Sequence, residues 1–113
     1  MKLAEYIVQK LKDSLSNAEK NLSAAKAEMD AAEVELDTAE ELASKAAGTG
    51  TGEYDKLRLA AAGAKGALKH YTENYNYRLG WKHGMEIALI LAESLVKAER
   101  KLDEEVDVWE AIA

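Results

Sequence analysis

Apolar residues recur at alternating spacings of three and four between residues 15 and 46, and no helix breaker lies between Lys2 and Ala47. A heptad repeat sustained over this length predicts a helix that supercoils with a partner helix. Alanine fills one core position of every heptad, so the partner backbone is expected to approach closely. We predict one long helix over residues 2–47 in an alanine-rich coiled coil. Its two core positions are Leu15, Leu22, Met29, Leu36 and Ala43, and Ala18, Ala25, Ala32, Ala39 and Ala46.

A segment of alternating glycine and threonine, residues 48–52, follows this helix. Gly48 suits a helix C-cap and Thr51 an N-cap, and Glu53 and Asp55 favour the first turn of a second helix. A loop this short is typical of the tip of a helical hairpin. We therefore predict an all-α fold in a single domain, a long antiparallel hairpin with helix 2–47, turn 48–52 and helix 53–112.

The distribution of charge supports antiparallel pairing. If the turn is centred on Gly50, residue i faces residue 100 − i. Residues 28–41 carry seven acidic side chains and no basic one, whereas their mirror, residues 59–72, carries Lys65, Lys69 and His70 and no acidic one. An acidic stretch then faces a basic one, which favours this register.

The helical pattern weakens in the middle of the second half of the chain. Either one long helix is kinked there, or the helix is broken near residues 76–84 and three helices form. Continuity is favoured by small residues at every fourth position, which we expect to face the alanines of the first helix: Gly80, Gly84, Ala88 and Ala92. The weak helix formers that raise the question are Thr72, Asn74, Asn76, Gly80 and Gly84.

The apolar surface exceeds what a two-helix hairpin can bury. Residues 87–91 are apolar on every face of a helix, as are residues 6–8, and the second helix extends beyond the mirror of the first. We predict a homodimer or higher homo-oligomer that forms a helical bundle. The alternative is that another protein covers this surface. The predicted oligomer interface is Ile87, Ile90, Leu91, Leu102, Val106 and Trp109.

Composition and charge exclude several functions. The chain has no cysteine, so neither a disulfide framework nor a thiolate zinc site can form. Its net charge of −6 disfavours general nucleic-acid binding. His70 and His83 are the only histidines, and no serine has a nucleophile context, so we expect no enzyme, cofactor or metal. Charged residues interrupt the N-terminal segment, and the longest apolar run is 87–92, so we expect no membrane association and a cytoplasmic location.

The most informative cluster is residues 69–83, which hold four of the seven aromatic side chains among several basic ones. The mirror register places Tyr71 and Tyr75 in the core and Tyr77 and Trp81 toward the outside. Tyrosine, tryptophan and arginine dominate interface hot spots. Three interpretations stay open: rings that fill space, a protein-binding site, or a nucleic-acid or nucleotide site. The candidate partner-binding residues are Tyr77, Arg78, Trp81, Lys82 and His83.

These patterns favour a non-enzymatic interaction protein over other classes. We expect an inhibitor or adaptor that binds a protein of its host, because short acidic helical chains without catalytic residues are typical of phage and mobile-element accessory proteins. The first alternative is a nucleic-acid or nucleotide binder that uses residues 69–83. The second is a purely structural coiled-coil spacer.

Overall fold

A computed structural model describes the backbone of residues 2–50 and 52–112 and the side chains of residues 3–50 and 52–105. The chain forms two α-helices, α1 (Lys2–Ala46) of 45 residues and α2 (Glu53–Ile112) of 60 residues. The described backbone contains no β-strand. The predicted all-α helical hairpin is confirmed.

Glycines make the turn between the helices. Gly48, Gly50 and Gly52 have φ values of 82°, 71° and 76°, a left-handed conformation that side chains with a Cβ rarely adopt. The carbonyl of Ala46 accepts hydrogen bonds from both the backbone N–H (3.2 Å) and the side-chain hydroxyl (2.8 Å) of Thr49. The carbonyl of Ala46 would otherwise be unpaired at the end of the helix. Helix α1 ends at Ala46, one residue before the predicted end.

Helix α2 runs without interruption through residues 76–84. The alternative with a break and three helices is therefore wrong. Asn74, Asn76, Gly80 and Gly84 each lower helix propensity by no more than about 1 kcal/mol. Packing of a helix against a neighbour outweighs such local costs, and strong helix formers follow the segment in residues 85–92.

The chain divides into two compact units, each containing a piece of both helices. Unit 2 is the continuous segment Lys20–Leu79 with the turn, and its core is the predicted alanine stripe. The exposed fraction of Ala25 is 3% and that of Ala32 is 5%. Ala43 and Ala46 are also buried, and larger residues flank the stripe half-buried: Leu22, Met29 and Leu36 on α1, and Leu57, Leu68, Tyr71 and Tyr75 on α2.

Unit 1 combines Met1–Glu19 with Gly80–Ala113. Ala4, Ala18, Ala92 and Val96 are buried between its two helical segments. The guanidinium of Arg100 lies 3.4 Å from the carboxylate of Glu5, a contact between the two antiparallel segments. The sequence rule paired Glu5 with position 95, so this contact lies about one helical turn further along α2.

The predicted groove of small residues on α2 is only half correct. Ala92 is buried and Ala88 half-buried, but Gly80 and Gly84 are exposed. A Cβ built on either glycine would meet nothing within 4 Å. The reason is helical geometry: each step of four residues rotates the side chain by about 40°, so three steps move it a third of a turn away from α1.

Neither helix, over the part described, has an apolar stretch long enough to cross a membrane.

Candidate protein interface

The predicted partner-binding residues lie on α2 and differ in exposure. In unit 2, Tyr77 is 61% exposed and Arg78 is also exposed. In unit 1, Trp81 is 52% exposed and His83 is exposed. Lys82 is half-buried, and its Nζ lies 3.6 Å from the Glu86 carboxylate one turn along the helix. The aromatic rings thus face outward as the mirror register predicted, whereas Lys82 lies toward α1.

The two tyrosines that the sequence assigned to the core are half-buried in unit 2. The ring of Tyr71 also packs edge-on against that of His70, with 5.6 Å between ring centroids. Tyr71 and Tyr75 therefore contribute to the packing of α2 on α1. The exposed members of the cluster in unit 2 are Lys69, His70, Glu73, Asn76, Tyr77 and Arg78.

The predicted oligomer interface is an exposed apolar surface. Ile87, Ile90, Leu91 and Leu102 are 60%, 63%, 61% and 60% exposed. The side chains of Val106 and Trp109, the other two residues assigned to it, lie outside the described residues. The structure therefore leaves four large aliphatic side chains of one helix segment in contact with solvent.

Further exposed residues belong to the same unit but were not assigned to a site. Leu95 is 63% exposed, and on α1 Leu3, Tyr6 and Ile7 are 61%, 59% and 45% exposed. The signal for Leu95 was present, because it continues the three-four spacing of Leu91 and Leu102. Only the burial of Ala92 and Val96 shows which of the apolar faces of α2 is already used by α1.

Six exposed residues of α2 in unit 1, together with the half-buried Ala88, form a second heptad stripe, which we call the outer stripe. Its positions alternate in steps of three and four: Trp81, Gly84, Ala88, Leu91, Leu95, Ala98 and Leu102. It carries no charged residue. The stripe that faces α1 is a different one, formed by Met85, Leu89, Ala92 and Val96. Helix α2 therefore has two coiled-coil faces here, and α1 covers one of them.

The apolar residues of α1 lie on the same side of unit 1 as the outer stripe. At about 100° per residue, the outer stripe is rotated roughly a quarter of a turn from the face of α2 that meets α1. Leu3 and Ile7 are rotated by a similar angle, in the same sense, from the buried face of α1. Because the two segments are antiparallel, equal rotations in the same sense bring both sets to one side.

Charged residues of both signs lie along the junction of the two helices in unit 1. Glu5, Lys12, Glu93, Lys97 and Arg100 line a groove with Val8 and Val96. Two of them, Glu5 and Arg100, form an ion pair. The outer stripe contains none of these residues and is uncharged along its length.

The surface of unit 2 has a different character. Its described exposed large apolar residues are Val34, Leu42, Leu59 and Tyr77, and they are separated by polar side chains. Glu40 of α1 lines a surface groove with Arg58 and Lys65 of α2, so an acidic side chain lies on the same side as two basic ones, in line with the charge pattern.

Across the described residues, no group of three or more His, Asp or Glu side chains is arranged to hold a metal ion. No protein-family model, curated protein or solved structure matches this chain.

Proposed function

We propose that this protein is a non-enzymatic interaction module that docks an apolar helix surface onto another protein chain. The observation that carries the proposal is the outer stripe, with Leu91, Leu95 and Leu102 each about 60% exposed. Monomeric soluble proteins rarely leave large contiguous apolar patches in water. Burying such a surface contributes about 25 cal/mol per Å² of apolar area, which favours association.

The protein acts by covering a surface of the chain that it binds. A module of this kind serves as an adaptor or an inhibitor. Assembly into a homodimer is part of the proposal, since the outer stripe has the heptad spacing that a helix of a second copy would fit.

Position-specific photo-crosslinking tests the proposal. A photoreactive amino acid replaces Leu91 in unit 1 or, as the control, Val34 in unit 2, which is exposed to a similar extent (61% and 64%). The two variants are produced in cells that naturally make the chain. We expect a defined protein adduct, either a dimer of the chain or a complex with another protein, from position 91 and not from position 34. Equal labelling at both positions would contradict the proposal.

A nucleic-acid binder is the second candidate, and it is favoured by the exposed group in unit 2. Lys69, His70, Tyr77 and Arg78 offer cations beside an aromatic ring, a combination suited to stacked bases. Titration of a labelled single-stranded oligonucleotide at two salt concentrations tests it. Binding that weakens tenfold or more between low and physiological salt, and weakens again in Tyr77→Ala, would support this candidate.

A further inference from the structure

We propose that the outer stripe of α2 is covered by the same stripe of a second copy of this chain, in an antiparallel and two-fold symmetric contact. This inference rests on the proposed function and names the partner of that surface. It makes unit 1 the dimerisation unit, with the outer stripe at its centre and Leu3 and Ile7 at the edge.

Size complementarity supports a second copy as the occupant. In antiparallel coiled coils, the two core positions of one helix meet the opposite core positions of the other. Applied to the outer stripe, this rule places Gly84 against Leu102 of the partner subunit and Ala88 against Ala98 of the partner subunit. It also brings Leu91 against Leu95 of the partner subunit. Leu102 thus faces a glycine, and side chains of equal size face each other at the other two levels, so the stripe fits itself between residues 84 and 102. Trp81 lies opposite position 105 of the partner subunit, beyond the end of the self-paired stretch.

The symmetric arrangement explains why a glycine, Gly84, occupies an exposed position of the outer stripe. Gly84 lowers the helix propensity of α2 by roughly 1 kcal/mol relative to alanine. A Cβ there would meet nothing within 4 Å in the single chain, so packing against α1 does not require glycine. In the symmetric pair, Leu102 of the partner subunit lies against Gly84, and the absence of a side chain on Gly84 leaves space for it.

Charge is compatible with the same pairing. The outer stripe is uncharged, and the exposed Lys101 that flanks it lies opposite Ile87 of the partner subunit rather than opposite another lysine. A lysine stem can cover an isoleucine while its ammonium group stays in water. The contact therefore brings no like charges together at its centre.

The first test is the mass of the full chain by sedimentation equilibrium, compared with two matched variants. Leu91→Glu changes the outer stripe, and Val34→Glu changes a similarly exposed site in unit 2. We expect wild type and Val34→Glu to be dimeric at micromolar concentration, and Leu91→Glu to dissociate with a Kd raised about thirtyfold or more. Circular dichroism verifies that each variant is helical.

The second test does not depend on how Leu91→Glu folds. Because the chain has no cysteine, a single introduced cysteine reports only its own neighbourhood. Ser94 is exposed and flanks the proposed two-fold axis, and Ser23 is an exposed control in unit 2. We expect Ser94→Cys to form a disulfide-linked dimer rapidly on mild oxidation, and Ser23→Cys to form little.

The outcomes separate this inference from the proposed function. A monomeric wild type would overturn the second copy as occupant, while a protein adduct at position 91 would still support an interaction module with a different partner. A dimer that neither dissociates in Leu91→Glu nor crosslinks through Ser94→Cys would show that the copies meet elsewhere, which also overturns the inference.

Discussion

The two units of the hairpin use the same two helices but differ in how much of their apolar surface they bury. In unit 2, a heptad of alanines packs each helix closely against the other, and the outer faces are largely polar. In unit 1, α1 covers one apolar face of α2 and a second one stays in solvent, with Ile87, Leu91 and Leu95 exposed by 60% or more. A pair of helices can therefore pack against each other and still carry a second apolar surface of equally regular spacing.

The difference begins in the sequence of α2. In unit 2 its outward positions include Leu59, Gly63, Gly66 and His70, which leave little continuous apolar area. In unit 1 the outward positions are aliphatic over several turns. Since helix–helix association is driven by contiguous apolar burial, we expect unit 2 to govern folding of the hairpin and unit 1 to govern assembly.

The largest expected effect on folding comes from enlarging the alanine core of unit 2. Ala32→Leu should destabilise the chain by about 1–3 kcal/mol, because close approach of the helices leaves no room for three extra heavy atoms. Ala31→Leu is the control, since that neighbouring side chain is exposed. Chemical denaturation of both variants measures the free energy of unfolding. Equal stabilities would refute close packing at the alanine stripe.

Glycine substitutions separate the turn from the helix. Gly48→Ala places a Cβ at a φ of 82° and should destabilise the hairpin by about 1–2 kcal/mol. Gly63→Ala lies within α2 with open space around it, so it should stabilise the chain by roughly 0.5–1 kcal/mol. Thermal melts of the two variants should shift in opposite directions. A shift in the same direction would contradict the assigned roles of these glycines.

Trp81 distinguishes a binding role from a structural one. Its side chain is 52% exposed, so Trp81→Ala should change the free energy of unfolding by about 0.5 kcal/mol. If the ring is an anchor of the outer stripe, the same change should weaken association about thirtyfold. Denaturation under monomeric conditions and a dimer titration measure the two effects. A loss of about 3 kcal/mol in monomer stability would instead assign the ring to the core.

The smallest effect is expected from the ion pair of unit 1. Arg100 and Glu5 lie 3.4 Å apart, but their side chains are 65% and 51% exposed. Glu5→Gln should therefore cost less than about 0.5 kcal/mol, and the loss should vanish in high salt. Denaturation at two salt concentrations provides the measurement. A cost above 1 kcal/mol that persists in salt would mean that Glu5 has a further role in the packing of unit 1.

The sequence predicted the parts of this fold that depend on one strong periodicity. The alanine heptad and the glycine turn were enough to define α1, the hairpin and the inward residues such as Ala25 and Ala32. Helix continuity through residues 76–84 was left open, because propensity alone cannot weigh weak helix formers against the packing of a long helix. The break remained an alternative until the backbone excluded it.

The candidate interface was predictable only in part. Ile87, Ile90 and Leu91 were recognised from an apolar run, but a run that is apolar on every face does not say which face is outward. Leu95 and Gly84 were assigned to the outer stripe only after the burial of Ala92 and Val96 fixed the rotation of α2. The 100 − i rule also placed the partner of Glu5 about one helical turn away from Arg100, since a mirror in sequence gives only an approximate level along the helix.

The central claim is that the outer stripe of unit 1 is covered by a second copy, whereas exposed residues of unit 2 stay in solvent. Hydroxyl-radical labelling of the unmodified chain tests it most directly, because it measures the solvent contact of each side chain without a substitution. Leu91 and Leu95 are as exposed within one chain as Val34, at 61%, 63% and 64%, so equal labelling is expected of a monomer. We expect Leu91 and Leu95 to be labelled at least several-fold more slowly than Val34 at micromolar concentration, and the difference to be lost on dilution. Equal rates at every concentration would contradict it.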